Sequence, residues 1–151
     1  MNKVNFIYEV DNKQLTTCKI VNNLYTMINC RIVIVFDEYE SMKILDKFLW
    51  SFDDISFIPH AIFSENLDEF MPIILMNDQS KLINKNIYKN YNTIINLTEN
   101  FYVHFLNFKT IFEIVSKEES DKSKARKRWK EYKQRSYCEI NSYKNNYILN
   151  S

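Results

Sequence analysis

The chain of 151 residues contains no glycine. A phosphate-cradling Walker loop, a GxGxxG dinucleotide turn and a GxSxG nucleophile elbow each need glycine, to bring backbone against phosphate or to strain a turn. All three are excluded. Histidine is scarce: neither His60 nor His104 has a second His, Cys or carboxylate at ligand spacing, so no metal centre or cofactor is expected. Cysteine is sparse and odd in number. Cys18, Cys30 and Cys138 form no CxxC pair and read as reduced thiols rather than a disulfide framework. No apolar run approaches the roughly 18 residues of a membrane span. The residues after Met1 lead directly into a strand-like segment, so no targeting peptide is legible and a cytoplasmic location is expected.

What is present is ample apolar material, 46% hydrophobic and 15% aromatic residues, enough for one packed domain. Asparagine is abundant and is expected to take over turn positions from glycine, because it tolerates positive φ. Net charge is only +1, so the chain as a whole has no electrostatic appetite for nucleic acid or anionic membrane. The charge is unevenly spread. Residues 117–135 hold nine Lys or Arg against four Asp or Glu, a net of +5, and the rest of the chain carries −4.

Hydrophobic patterning predicts strands at 4–10, 31–36, 55–58, 72–76, 93–97 and 111–116. Pro59 is expected to end the third of these. Helices are predicted over 14–28, from about 37 to Trp50, briefly over 101–108, and over 122–137. Residues 77–92 read as a polar connection and 138–151 as a frayed tail beyond a domain of residues 1–137. The β-branched run 31–36 suits an inner parallel strand covered on both faces. Strands alternate with helices early and cluster later, which predicts a three-layer α/β domain with a mixed, mainly parallel sheet.

Few residues point to chemistry. Asp37, Glu38, Asp53 and Asp54 fit helix capping and loop solvation better than paired acid–base catalysis. The cysteines lack a recognisable base. His60, after Pro59, reads as a structural hydrogen-bonding residue at a strand end. The last helix is different. Lys122, Arg126, Trp129 and Lys133 are spaced by 4, 3 and 4 and fall on one stripe. Such a stripe is either a solvated basic face whose indole turns inward, or a site for a peptide bearing negative charge and an aromatic ring. Trp50, closing the second helix, is either core or a surface anchor.

Taken in order, these segments resemble the chi subunit family of the bacterial DNA polymerase III holoenzyme. The resemblance rests on the opening Phe6-Ile7-Tyr8 strand and on Leu45-Asp46-Lys47-Phe48-Leu49-Trp50 followed by Ser56-Phe57-Ile58-Pro59-His60, similar to an LD-x-x-LW…F-x-PH pattern. It continues through Pro72-Ile73-Ile74-Leu75 and closes on Arg126-Lys127-Arg128-Trp129-Lys130-Glu131-Tyr132, similar to R-x-R-[YW]-x-x-Y. The chain departs from the family in lacking its usual glycine at Asn29-Cys30, and in a shorter, more charged 116–121 segment.

The resemblance implies a non-catalytic adaptor in DNA replication that joins the clamp loader to single-stranded DNA-binding protein (SSB). By the same resemblance, Trp50, Lys122, Arg126 and Trp129, with Lys133 a weaker match, bind the acidic, aromatic-ended C-terminal tail of SSB. Phe57 matches a position used against the psi subunit or a helicase-like alternative partner. DNA is then reached indirectly, through SSB. The competing expectation is direct single-stranded nucleic-acid binding by the basic helix.

Overall fold

The computed structural model describes residues 1–28, 30–51, 58–64, 71–77, 87–135 and 137–145. Among the described residues seven strands form one sheet: β1 (Asn2–Val10), β2 (Ile32–Val35), β3 (His60–Ile62), β4 (Ile73–Met76), β5 (Thr93–Asn96), β6 (Thr110–Ser116) and β7 (Cys138–Lys144), in the spatial order β3-β4-β2-β5-β6-β1-β7. Every strand pair is parallel. The expected mixed sheet is thus a wholly parallel one. The α/β three-layer class holds, and the β-branched inner strands explain it: β2 and β4 are buried at every position, as strands covered on both faces must be.

Helices α1 (Lys13–Ile28) and α2 (Tyr39–Ser51) cover one face of the sheet. There Cys18, Val21, Met42, Leu45 and Leu49 pack on Ile32, Ile34, Ile73, Leu75 and Phe112. The other face carries α3 (Glu119–Lys133) and two short 3₁₀ segments, Ile87–Lys89 and Val103–Asn107, over Val4, Phe6, Val33, Ile94 and Ile111. The second of these segments is the short helix anticipated at 101–108.

Two boundaries differ from the sequence reading. Of the strand expected at 55–58, residues 55–57 lie outside the described residues; β3 begins after Pro59, at His60, where the proline's missing N–H removes no ladder bond. Helix α3 starts at Glu119 rather than 122, because Glu119 and Asp121 suit its positive end, and it stops at Lys133 with Lys130 and Lys133 in the last turn. The tail expected to fray instead supplies β7, pairing with β1 from Asn2↔Cys138 to Tyr8↔Lys144. Its alternation of half-buried and exposed residues is weak. Strand formation there depends on the neighbouring β1 edge rather than on its own pattern.

One irregularity shapes the surface. Between Ile7↔Ile114 and Val10↔Ser116, β1 spends one residue more than β6. Glu9 sits in this bulge at φ 58°, the one positive φ among the described residues and one taken by glutamate rather than asparagine. A left-handed non-glycine residue costs roughly 1–2 kcal/mol. The bulge also breaks side-chain alternation, so Val10 packs on the same face as Ile7, and Glu9 opens towards the α3 side.

Candidate functional site

Helix α3 has only three buried side chains, Ala125, Arg128 and Tyr132. Two are polar, and both reach Glu113 in the middle of β6. Arg128 Nε donates to Glu113 Oε1 at 2.9 Å; Tyr132 Oη and Asn96 Nδ2 donate to Oε2 at 2.8 and 2.9 Å. Arg128 Nη1 also donates to the Glu99 carbonyl at 3.0 Å. Glu113 is 0% and Arg128 3% exposed. Burial pushes the Glu113 carboxyl above its ordinary range, while Arg128 and the Asn96 and Tyr132 donors pull it back. Tyr132 adds edge-on ring contacts to Phe6 and Phe101. A polar helix is thereby seated by a buried ion pair in place of a broad apolar stripe.

Seating Arg128 and Tyr132 inward sets the rotation of the whole helix. Arg126, two residues before Arg128, and Trp129, the residue after it, are turned outward. They line a groove between α3 and the β1/β7 margin of the sheet, with a cavity of about 430 Å³. Its floor is the buried Phe6, Val115 and Ala125, flanked by Tyr8. Trp129 is 37% exposed, and Lys133 Nζ lies 4.7 Å from the centroid of its ring. That distance fits a cation–π contact. Lys122 Nζ lies 3.3 Å from Glu9 Oε1 and 3.8 Å from Glu119 Oε1. Arg126 is exposed and has no ion-pair partner among the described residues. Of the two readings of the helical stripe, the indole neither turns fully inward nor stands free. It forms one wall of a half-apolar, half-cationic cleft.

Trp50 does not join this cleft. It lies in the last turn of α2 on the opposite face of the sheet, its ring tilted by 54° against that of His60 of the edge strand β3 with centroids 4.7 Å apart, and is 59% exposed. From β3 to β1 there are five interstrand steps, roughly 24 Å at ~4.8 Å each. The expectation that Trp50 shares one pocket with Lys122, Arg126 and Trp129 is corrected by this separation. Helical phase places residues on a helix but says nothing of which sheet face the helix covers. Phe57 lies outside the described residues.

His60 has the structural role expected of it, at the start of a strand rather than its end. Nδ1 donates to the Ile58 carbonyl at 2.7 Å, and Nε2 lies 3.2 Å from Asp46 Oδ1 without hydrogen-bond alignment.

The carboxyl ends of the strands, where α/β sheets commonly hold ligands, carry charges that satisfy one another. Lys13 pairs with Asp121, Lys117 with Asp11 and Lys124 with Glu99. Among the described residues no group of three potential metal ligands converges, and no helix is long and apolar enough to cross a membrane.

Sequence reasoning located the cationic wall of the groove and missed its floor and its acid. Phe6 and Val115 read only as strand core. Glu9 carried no local signal, because nothing in the pattern of residues 4–10 announces a bulge. The pairing of Glu113 with Arg128 was equally hidden, although a glutamate amid the apolar run 111–116 is the kind of buried charge that demands a partner.

Comparison with known proteins places these observations. The family model for the DNA polymerase III chi subunit, HolC, matches residues 1–139. No curated protein matches the chain. Among solved structures, a variant C-terminal domain of S. cerevisiae Dbp5, bound to a Gle1 variant and IP6, is similar with a TM-score of 0.64 at 8% identity, covering 100% of this chain and 99% of that one. A second structure, of the C-terminal domain of the DEAD-box protein Dbp5, has a TM-score of 0.59 at 8% identity, covering 97% of this chain and 91% of that one. At such identity the likeness is one of fold alone.

Proposed function

This chain belongs to the DNA polymerase III chi subunit family, accessory subunits in DNA replication, and we propose that it links the clamp loader of the holoenzyme to SSB by holding the acidic C-terminal tail of SSB in the α3 groove. The role is non-catalytic, and DNA is reached through SSB rather than directly. The observation that carries the proposal is the juxtaposition in one cleft of a guanidinium without an ion-pair partner among the described residues, Arg126, with a half-exposed indole, Trp129, over the apolar floor of Phe6 and Val115.

A peptide ending in an aromatic residue with a free carboxylate matches this pairing. Its ring is buried on the floor beside Trp129, and its carboxylate takes the planar fork of Arg126. Lys122 and Lys133 add attraction for acidic residues upstream, screened by salt because Lys133 is exposed and Lys122 partly so. The cavity falls within the size range typical of small-ligand clefts.

Trp50 belongs, in this proposal, with a second partner surface on the far side of the sheet; Phe57 is assigned to the same partner by its match to the family pattern alone. A psi subunit or a helicase-like protein is the partner proposed for it. An exposed tryptophan held against the His60 ring suits an interface anchor.

The test is titration of an acidic peptide ending in phenylalanine into the full chain, followed by calorimetry. Arg126→Ala is expected to weaken binding about tenfold or more, as loss of a charge-assisted hydrogen bond of roughly 1.5–3 kcal/mol requires, and removal of the peptide's terminal phenylalanine to do so by a similar factor, as loss of a buried ring worth roughly 1.5–3 kcal/mol requires. Equal binding by all three combinations refutes the proposal. Tight binding of single-stranded DNA by the isolated chain, lost with Arg126→Ala, replaces it with direct nucleic-acid binding.

A further inference from the structure

The groove is built around cations, yet it contains one carboxylate of its own. Glu9 lines it and reaches Lys122 at 3.3 Å. The side chain comes there by an unusual route. One extra residue in β1 relative to β6 makes the bulge, and Glu9 holds a left-handed backbone conformation within it. Without the bulge, strand alternation puts residue 9 on the same face as Ile7, against α1 and α2. The irregularity therefore re-aims an acid into a basic cleft.

Resting on the tail-binding reading above, we infer that Glu9 is a specificity-determining residue of the groove, an internal carboxylate that occupies Lys122 and competes with acidic residues of the incoming peptide. Its partner set supports the assignment. Lys122 is shared between Glu9 and Glu119, whereas Arg126 has no acidic partner among the described residues. The two cations of the same helical stripe are thus unequal. A carboxylate reaching Arg126 displaces no acid among the described residues. A second carboxylate reaching Lys122 must displace Glu9 or lie beside it, like charge against like. The groove consequently favours a peptide with its negative charge concentrated at the carboxylate beside the terminal ring, and Glu9 moderates the contribution of acids further upstream.

The experiment compares wild type, Glu9→Gln and Glu9→Asn in calorimetric titrations with two synthetic peptides that end in phenylalanine, one with aspartates upstream and one with alanines there. Both variants remove the charge. Asparagine accepts the left-handed backbone more readily than glutamine, so charge and backbone effects separate. Both are expected to bind the aspartate peptide roughly two- to fivefold more tightly than wild type, the range of an exposed ion pair, with a steeper loss of affinity as salt rises. Affinity for the alanine peptide is expected to be unchanged. Unchanged aspartate-peptide affinity in both variants overturns the inference while leaving the groove reading intact. A gain in only one variant, or an equal gain for both peptides, overturns it as well, since the charge is then not the cause. If wild type binds neither peptide and Arg126→Ala changes nothing, the groove reading itself fails and the inference falls with it.

Discussion

Replacing Arg128 with methionine tests how α3 is held to the sheet. The substitution keeps much of the side-chain volume and removes the guanidinium that donates to Glu113 at 2.9 Å. Both groups are almost fully buried, so the carboxylate is left in a dry site with only Asn96 and Tyr132 as donors. Breaking a buried pair from one side typically costs about 3–5 kcal/mol, which for a chain of this size lowers Tm by roughly 6–20 °C.

The loss is expected to depend on pH in a defined direction. Burial already raises the Glu113 carboxyl, and Arg128 is the largest influence opposing it. In the variant the folded-state pKa rises further above the unfolded value. An acid raised in this way destabilises the fold at pH values above its folded pKa and ceases to do so as protonation becomes complete. The deficit of Arg128→Met relative to wild type should therefore shrink as pH falls from about 7 towards about 5. The assay is urea unfolding followed by circular dichroism across that range. A pH-independent deficit, or one below about 1 kcal/mol, refutes the reasoning, because the pair is then solvated and worth no more than a surface bridge.

Further expectations follow from the same geometry. Trp50→Ala should leave affinity for the acidic tail peptide within about twofold of wild type, well short of the tenfold loss predicted for Arg126, and weaken capture of the second partner; a tail-peptide loss matching Arg126→Ala refutes the separation of the two surfaces. Burial pushes the Cys18 thiol up to about 12, so under native conditions iodoacetamide should modify the partly exposed Cys138 well before Cys18 or Cys30; mass spectrometry of peptides gives the order, and early labelling of Cys18 contradicts it. Burial alone raises the Asp121 carboxyl, but Lys13 and the Ser116 N–H outweigh it and hold it below its ordinary value. Its contribution is present above that ordinary value and is lost as pH falls through the folded one, so acid unfolding of Asp121→Asn should show a smaller pH dependence than wild type. Truncation after residue 137 removes the β7 partner of β1 and uncovers an inner strand edge; aggregation or a lower denaturant midpoint is expected, and an unchanged midpoint refutes a structural role for this segment.

Much was legible before any tertiary structure. Absence of glycine removes phosphate loops on covalent geometry alone. Apolar runs such as 32–36 and 73–76 require cover on both faces, and that requirement leads to a layered parallel sheet. A 3.6-residue period aligns Lys122, Arg126, Trp129 and Lys133 without knowledge of anything they face. All of these are local properties, set by the shape and valence of neighbouring residues.

Other features depend on partners distant in the chain. Within R-x-R-W-x-x-Y, the inward turn of Arg128 and Tyr132 and the outward turn of Arg126 and Trp129 follow from Glu113, a residue of β6. The weak pattern of 138–144 becomes a strand only against β1. Trp50 and the α3 groove are parted by the sheet between them, and Glu9 enters that groove because β1 carries one residue more than β6 between shared pairing points. Register and face are relations between elements; a single strand or helix read alone contains neither, and only the folded sheet decides them.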